Sequence, residues 1–259
     1  MLSYTPYQWI LFFFIYCFVG WIIESSIVSL EERKPVNRGF LRIPMLPLYG
    51  FGAIAILFSV LPVRGNPTLV YICGALSATL LEYITGFAME IIFKVKYWDY
   101  SKYEYNLSGR ICLMSSLFWG FLSLLLTFQL HAFTESLVLR LSQRSVIIID
   151  CIIGAVFLAD LIYSFKSAID LKNILSRMTE LKNELGVLIS QKAEESERTQ
   201  AVIAKIALIK SERQKLLARI NYYVKSIVKA HPMATSSKFN EALKELRASL
   251  KNKIDKNKK

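Results

Sequence analysis

The sequence lacks the short motifs that mark most nucleotide-driven motors, zinc hydrolases and serine hydrolases. It has no GxxxxGK[ST] phosphate loop, no HExxH helix and no GxSxG turn. Histidine is almost missing: His131 and His231 are the two in 259 residues, and the pattern of the chain places neither beside a group of carboxylates. The sequence therefore assigns no catalytic residue and no metal ligand, indicates no particular cofactor, and weighs against an enzyme.

Cysteine is also scarce, and no two cysteines form a CxxC pair or a spacing typical of a metal site. All four lie in apolar segments, where a thiol usually packs as a small hydrophobic side chain. They are Cys17, Cys73, Cys112 and Cys151. No disulfide framework is expected. The N-terminus lacks a basic region and a small-residue cleavage site, so the first apolar run is expected to be a retained helix.

Charge is scarce and nearly balanced over residues 1–166, which hold 12 Lys/Arg and 10 Asp/Glu, whereas residues 167–259 hold 20 and 10. The first part instead contains apolar runs of the length that a helix needs to cross a bilayer, about 20 residues. These runs cover residues 7–29, 45–62, 68–93, 111–133 and 145–166. The sequence thus predicts an all-α, polytopic helical membrane domain over residues 1–166 with about five transmembrane helices.

The basic residues of the short loops predict the orientation of these helices. Loops 30–43 and 94–110 carry four Lys or Arg each, whereas the loops on the opposite side carry one and two. Lys and Arg are enriched in cytoplasmic loops. We therefore expect a multi-pass protein of the cell membrane, with the N-terminus outside the cell and the C-terminal tail in the cytoplasm.

The basic tail shows the repeat of a coiled coil. Apolar residues recur at three- and four-residue spacing over residues 167–230, with a polar interruption at 191–199 that contains neither Gly nor Pro. This pattern predicts cytoplasmic coiled-coil helices, formed either as one long helix or as a tight hairpin. Residues 231–259 predict a short basic amphipathic helix followed by a disordered end.

The tail also bears on the partners of the protein. A coiled coil offers a means of forming a homo-oligomer, although an intramolecular hairpin fits the pattern equally well. Its excess of basic residues favours contact with anionic membrane lipids. Nucleic acid is disfavoured as a partner, because the basic residues alternate with Glu and with the apolar seam.

Three carboxylates interrupt the predicted spans in their cytoplasmic half, where an ionisable group needs a partner or a wet cavity. Glu24 lies near the inner end of the first span, and Glu82 and Glu90 lie in the inner half of the third. The flanking loops supply Arg38 and Arg110. Three interpretations stay open: buried ion pairs that fix helix packing, a cytoplasm-facing polar cavity that binds a substrate or a headgroup, or spans placed differently so that these residues lie in water.

Candidate substrate-binding residues come from these spans and from both cytoplasmic loops, and they combine carboxylates, arginines, amides and aromatic donors. They are Glu24, Asn37, Arg38, Tyr49, Glu82, Glu90, Trp98, Asp99, Tyr100, Asn106 and Arg110. Asp160 in the last span is a further candidate, whereas Asp150 is expected to lie in water near the outer boundary. The Pro- and Gly-rich segment 44–52 predicts either a proline-initiated helix or a re-entrant segment that lines the cavity.

Several motifs occur together, in order, in the first half of the chain. They are Gly20-Trp21, Asn37-Arg38-Gly39-Phe40-Leu41, Pro47-Leu48-Tyr49-Gly50-Phe51-Gly52, Glu82-Tyr83, Trp98-Asp99-Tyr100-Ser101 and Gly109-Arg110-Ile111-Cys112. Over roughly residues 7–130 the chain resembles the bacterial CmpB-type family of ABC-transporter permeases. The resemblance implies a role in transport, and since the chain has no phosphate loop, any ATPase would be a separate subunit. Residues from about 167 lie outside the resemblance.

We therefore expect a transport-associated, permease-like membrane component whose cavity of buried carboxylates and arginines faces the cytoplasm. One alternative is a scaffold or regulatory protein that acts through its coiled-coil tail. Another is a membrane enzyme acting on a lipid headgroup, in which a carboxylate such as Glu82 serves as general base and Arg38 and Arg110 hold phosphate.

Overall fold

Helices form almost all of the secondary structure in the described part of the chain. The computed structural model describes residues 4–194, 199–218, 220 and 222–256. The helices are α1 (Pro6–Glu31), α2 (Pro47–Val60), α3 (Pro67–Phe93), α4 (Leu113–Leu125), α5 (His131–Val138), α6 (Gln143–Glu194), α7 (Thr199–Ala218), α8 (Tyr222–Ala230) and α9 (Asn240–Lys256). A 3-10 turn at Leu61–Val63 follows α2, a π turn at Leu126–Leu130 joins α4 to α5, and a short antiparallel ribbon pairs β1 (Asn106–Leu107) with β2 (Ile111–Cys112).

Local sequence explains where the first membrane helices begin. Proline suits the first helical turn because the backbone N–H that it lacks would have no partner there, and Pro6, Pro47 and Pro67 open α1, α2 and α3. The side chains of Thr5 and Asn66 accept hydrogen bonds from backbone N–H groups in the first turns of α1 and α3. The helix α2 is unbroken from its first residue, as expected for a proline-initiated helix rather than a re-entrant segment.

Four helical segments are long and apolar enough to cross a membrane: Pro6–Glu31, Pro67–Phe93, Leu113–Val138 and the Gln143–Ser190 part of α6. The segment Pro47–Val63 is apolar but shorter. At about 1.5 Å per residue it spans roughly 25 Å, somewhat less than the ~30 Å of bilayer hydrocarbon. The all-helical class and the multi-pass membrane character are therefore confirmed, and a fifth complete span stays a prediction.

Small residues let neighbouring helices of the bundle approach closely. A Cβ at Gly74 of α3 would lie 2.2 Å from the Cβ of Ser123 of α4, and the Ser123 hydroxyl donates a hydrogen bond to the Val70 carbonyl at 3.2 Å. Gly20 of α1 lies equally close to Tyr49 of α2. As a result α1, α2, α3 and α4 pack each against the next, and α6 packs against α1.

The helix α6 carries the chain out of the bundle without a break. It continues through residues 166 and 167, where the sequence predicts the boundary between membrane domain and tail. Its later turns bury Leu171, Leu175 and Met178 in one core with apolar side chains of α8 and α9. Membrane bundle and tail therefore share one helix.

The described tail has the hairpin arrangement rather than one long helix, because α7 packs back along α6. Arg177 of α6 donates two N–H groups to Glu212 of α7, at 3.1 and 2.8 Å, and Arg213 of α7 pairs with Glu245 of α9. A coiled coil between copies of the chain stays a prediction. The middle of the polar interruption, 195–198, and the end expected to be disordered, 257–259, lie outside the described residues.

The tail packs onto the loop between α3 and α4. Lys96 and Thr235 exchange backbone hydrogen bonds of 2.8 and 3.0 Å as an isolated antiparallel bridge. The Ser236 hydroxyl donates to the Lys94 carbonyl at 2.6 Å, and Tyr97 is buried within the core of the tail. The tail therefore covers the end of the bundle at which α1 and α3 finish and α4 begins.

Candidate functional site

A cavity of about 460 Å³, here called the tail-side cavity, lies at the end of the bundle that the tail covers. The charged side chains in its wall are two carboxylates and one guanidinium. Most of the remaining wall is apolar or aromatic and comes from α2, α3, α4 and α6. Six of the eleven candidate residues line this cavity: Glu24, Arg38, Tyr49, Glu82, Trp98 and Tyr100.

Glu82 of α3 is the most buried carboxylate of the cavity, with 4% of the residue exposed. One of its oxygens accepts a hydrogen bond from the Trp119 indole N–H of α4 at 3.0 Å, and the other accepts one from the Tyr100 hydroxyl at 3.2 Å. Both donors are neutral. Among the described residues no basic side chain forms an ion pair with Glu82, so the hydrogen bonds to its carboxyl group come from neutral donors.

Glu24 of α1 has a different set of partners. The Tyr49 hydroxyl donates to one of its oxygens at 2.8 Å, and the Arg38 guanidinium lies 3.7 Å from the other. Arg38 also donates to the carbonyl of Ala230, the last residue of α8, at 3.0 Å. Arg38 therefore connects a carboxylate of the cavity with the tail.

The other five candidates lie outside the wall of the cavity. Arg110 donates two N–H groups to one oxygen of Glu90, at 3.1 and 2.8 Å, and its guanidinium lies over the rings of Tyr83 and Phe87. The others are Asn37, Asp99 and Asn106, which hold the loops by hydrogen bonds to neighbouring groups. Their assignment as substrate-binding residues stays a prediction.

The loop between α3 and α4 positions Tyr100 toward Glu82. Asn106 accepts from the backbone N–H of Gly109, which has a φ of 69° and no Cβ to collide with Asp99, and the Gly109 carbonyl accepts from the Tyr100 N–H at 2.8 Å. Burial, and then the nearby carboxylates of Glu82 and Glu24, raise the pKa of Tyr100, so its hydroxyl stays protonated and donates.

The same loop is fastened to the tail through Asp99. Its carboxylate accepts from the Ser101 hydroxyl and backbone N–H on one oxygen, and from the Thr235 hydroxyl at 2.6 Å on the other. Partial burial acts to raise the pKa of Asp99, but these hydrogen bonds and the nearby Lys96 outweigh it and lower the pKa below the usual range. Asp99 is therefore ionised at neutral pH.

A second cavity of about 340 Å³, here called the mid-bundle cavity, lies deeper between α1, α2 and α4. Its wall is largely apolar, with Tyr16 and Gln129 as polar members. Tyr49 and Trp119 line both cavities, with ring centroids 5.0 Å apart and planes tilted by 44°. The two cavities thus follow one another across the bundle with an aromatic pair between them.

The family comparison covers the helices that build both cavities. A family model described as "Putative ABC-transporter type IV" matches residues 11–165. The chain belongs to this family. The match confirms the resemblance and extends it beyond residue 130, and it leaves out the tail. No curated protein and no solved structure matches the chain.

The tail of this type IV family member contributes His231 to the cavity. The sequence places no histidine beside the carboxylates, and that expectation is wrong for His231 because the tail folds back over the bundle. The residue is 4% exposed, its Nδ1 lies 3.0 Å from the Ile227 carbonyl, and its ring meets the Tyr97 ring edge-on at 4.8 Å. Burial, and then the charge of Arg38, lower the pKa of His231 well below its usual range, so the ring is neutral at pH 7.

Acidification is expected to loosen the tail through His231. A histidine exposed to water has a pKa near 6.5. Below that pH the undocked tail takes up a proton that the docked tail excludes, so the free energy that favours docking of the tail falls as the pH falls. Asp99 stays ionised in this window and does not contribute. Between pH 7.5 and 5.5 the loss should be about 1 kcal/mol. Hydrogen exchange over residues 222–250, corrected for the intrinsic rate, measures it.

The matched control for this experiment is His231→Gln, which keeps a polar side chain but does not titrate. Its tail should show a much smaller change in protection between the two pH values. The nearby charged groups are Arg38 and Arg247, neither of which titrates in this range. An unchanged pH dependence in His231→Gln would show that another group is responsible.

Two aspartates of α6 have surroundings that differ from the expectations based on the sequence. Asp160 accepts from the backbone N–H groups of Arg42 and Ile43, at 2.7 and 3.2 Å, and so holds the loop after α1 rather than the cavity. Asp150 is buried, and its oxygens make no hydrogen bond within the described residues. The expectation that it lies in water is wrong, because it shares a helical face with the buried Val146 and Phe157.

Proposed function

We propose that this protein is the membrane component of a transport system and that its tail-side cavity binds a substrate with a cationic group and an apolar body. The observation that carries the proposal is Glu82, a buried carboxylate at the end of a cavity, held by neutral donors. A buried charge without a counter-charge is unfavourable. A cationic group of a substrate supplies that counter-charge.

The charges of the cavity wall support a cationic substrate. The wall holds two carboxyl groups, those of Glu24 and Glu82, one guanidinium, that of Arg38, and the neutral ring of His231. Carboxyl groups therefore outnumber basic side chains by one within a largely apolar wall. In such surroundings electrostatic attraction is stronger than in water, so a single cationic group binds effectively.

The apolar part of the wall supports an apolar body on the substrate. Ile84 of α3, Phe118 of α4 and Phe165 of α6 line the cavity and are each more than a third exposed. In helices that cross a bilayer, exposed apolar side chains face lipid. The cavity is therefore open sideways toward the membrane, and an amphipathic molecule can enter with its charged end toward Glu82.

The remaining assignments of the proposal follow from the sequence. The loop charges favour the tail side as the cytoplasmic side of the cell membrane. The family description favours a role in ABC-type transport, and the chain contains no phosphate loop, so a separate ATPase subunit would supply the energy. The candidates Glu24, Arg38, Tyr49, Trp98 and Tyr100 would surround the substrate beside Glu82.

Butylguanidinium is a suitable probe because it combines a short apolar chain with a charge that persists at neutral pH. In nanodiscs we expect saturable binding of butylguanidinium to the purified protein, at least tenfold weaker in Glu82→Gln, with no binding of butanoate. Calorimetry measures the affinity. The matched control is Glu104→Gln, which removes a carboxylate from an exposed position in the loop between α3 and α4. This variant should bind butylguanidinium as the parent protein does.

Transport is then tested in proteoliposomes that contain the protein with any co-purifying ATPase and ATP. Uptake of labelled butylguanidinium should disappear in Glu82→Gln and persist in Glu104→Gln. Absence of both binding and uptake in the parent protein would overturn the proposal. Release of lipid headgroups by the purified protein would instead favour the enzyme.

A scaffold role keeps one specific observation in its favour. Four large apolar side chains on the α6–α7 hairpin are exposed, namely Val187, Ile189, Ile203 and Leu208. A second copy of the hairpin could cover them, which would give the homo-oligomer that the coiled-coil pattern predicts. Changing Val187 and Leu208 to serine should then reduce the oligomer seen by light scattering, while a monomeric parent protein would rule this role of the hairpin out.

A further inference from the structure

We infer that Tyr49 and Trp119 form a gate between the tail-side and mid-bundle cavities, and that Glu24 and Glu82 hold this gate shut until a cationic substrate binds them. The inference rests on the proposed function, since it assigns a second task to the carboxylates proposed to bind the substrate. It adds the route that a substrate takes and the event that opens it.

The position of the two rings makes them the partition between the cavities. Tyr49 lies in the first turn of α2 and Trp119 lies in α4. They line both cavities, and their centroids lie 5.0 Å apart, which is contact distance for aromatic rings. A molecule that moves directly from one cavity to the other passes between these rings.

Each ring of the pair is tied to a different carboxylate. The Tyr49 hydroxyl donates to Glu24 at 2.8 Å, and the Trp119 indole N–H donates to Glu82 at 3.0 Å. These bonds point both rings toward the tail side. They fix the closed position through the same oxygens that face the cavity.

A cationic substrate competes with both rings for these oxygens. A guanidinium brings a full positive charge and a two-pronged set of N–H donors to a carboxylate, whereas the Tyr49 hydroxyl and the Trp119 N–H each offer a single neutral donor. When the carboxylates turn toward the substrate, the Tyr49 hydroxyl and the Trp119 N–H lose their partners. The rings are then free to leave the closed position, so opening is coupled to occupancy.

The side of the gate away from the carboxylates leaves room for this movement. Gly20 packs directly against Tyr49, whereas a Cβ placed on Gly52 would lie 3.6 Å from the Trp119 ring, an ordinary contact distance. The mid-bundle cavity of about 340 Å³ begins there. The Trp119 ring can therefore turn into existing space, whereas Tyr49 moves only when its contact with Gly20 is broken.

Labelling of a cysteine in the mid-bundle cavity tests the gate. In the full-length protein in nanodiscs, Ala53→Cys places a thiol in that cavity, and peptide mass spectrometry follows its reaction with a trimethylammonium-bearing methanethiosulfonate. The charged reagent cannot arrive through lipid. We expect slow labelling behind the closed gate and at least tenfold faster labelling when Trp119→Ala is added.

Two further variants show whether the ring or its hydrogen bond keeps the gate shut, and whether folding is intact. Trp119→Phe keeps an aromatic ring and removes the N–H, so labelling at position 53 should be intermediate. Thr85→Cys lies in the tail-side cavity and should react at the same rate in all backgrounds. Equal slow rates at position 53 in the parent, Trp119→Phe and Trp119→Ala, or fast labelling in the parent, would overturn the gate.

Butylguanidinium separates this inference from the proposed function. It should protect Thr85→Cys by occupying the tail-side cavity and accelerate labelling of Ala53→Cys, and Glu82→Gln should abolish both effects. Protection at position 85 without acceleration at position 53 would overturn coupling of the gate to substrate and leave the proposed function standing. Loss of protection at position 85 in the parent would count against the proposed function itself.

Discussion

Replacing Arg110 with alanine is expected to reduce the free energy of unfolding by about 3 kcal/mol, the largest loss expected for a single substitution in the loops. The pair between Arg110 and Glu90 is mostly removed from water, with side chains 15% and 18% exposed. Removal of one partner leaves Glu90 charged and without its two donated hydrogen bonds. Titration with SDS in mixed micelles, followed by circular dichroism, measures the loss.

Two controls distinguish this pair from ordinary surface charge. Arg177→Ala removes a guanidinium from an exposed network on the tail and should change stability much less. Glu90→Leu combined with Arg110→Leu removes both charges and should recover most of the loss, because a buried pair is often no better than apolar side chains of similar size. A double variant as unstable as Arg110→Ala would show that Arg110 acts through other contacts.

Arg110→Ala should leave the affinity for butylguanidinium nearly unchanged in the protein that remains folded. The guanidinium and the Glu90 carboxylate lie outside the wall of the tail-side cavity, so they contribute to packing and not to the charge that faces a ligand. Binding and stability should thus separate: Glu82→Gln weakens binding, and Arg110→Ala weakens the fold. A tenfold loss of affinity in Arg110→Ala would show that Arg110 contributes to ligand binding.

Gly74→Ala is expected to destabilise the bundle by about 2 kcal/mol even though alanine is the better helix former. The added methyl group would lie 2.2 Å from the Cβ of Ser123, an atom fixed to the backbone of α4. No rotation of a side chain relieves this contact, so α3 and α4 must move apart and loosen the Ser123–Val70 hydrogen bond. The same SDS titration measures the loss.

Gly154→Ala is the matched control, since it makes the same change in another membrane helix. Its methyl group would meet the Phe14 ring at 3.8 Å, an ordinary contact. Stability should stay the same or rise slightly, because alanine has the higher helix propensity. Equal losses at both positions would show that the close approach of α3 to α4 does not limit stability.

The sequence predicts where the helices of the membrane domain lie and at which end of the bundle the carboxylates gather. Apolar runs and helix-starting prolines locate α1 to α4, because burial in lipid and helix initiation depend on residues close together in the chain. The same local rules bring Glu24, Arg38 and Glu82 to one end of the bundle. They cannot tell which of the eleven candidates face a cavity, because that depends on the rotation of each helix.

Contacts between distant segments account for what the sequence does not reveal. His231 reaches the cavity because the Lys96–Thr235 bridge docks the tail, and these residues are 139 positions apart in the chain. Asp150 looks accessible from its place near a span boundary, yet the face that it shares with Val146 turns inward. The pairing of Tyr49 with Trp119 likewise joins two helices whose separate sequences each read as ordinary apolar segments.

The unbroken course of α6 has a mechanical consequence. With 52 residues the helix is about 78 Å long, of which about 30 Å suffices to cross the hydrocarbon, so a tilt of 10° within the membrane would move its far end by roughly 8 Å. The tail cannot absorb such a tilt at a linker, because residues 166 and 167 are helical. A change in bilayer thickness or lateral pressure that tilts α6 must therefore pull on the Lys96–Thr235 bridge, and the tail would register the physical state of the membrane.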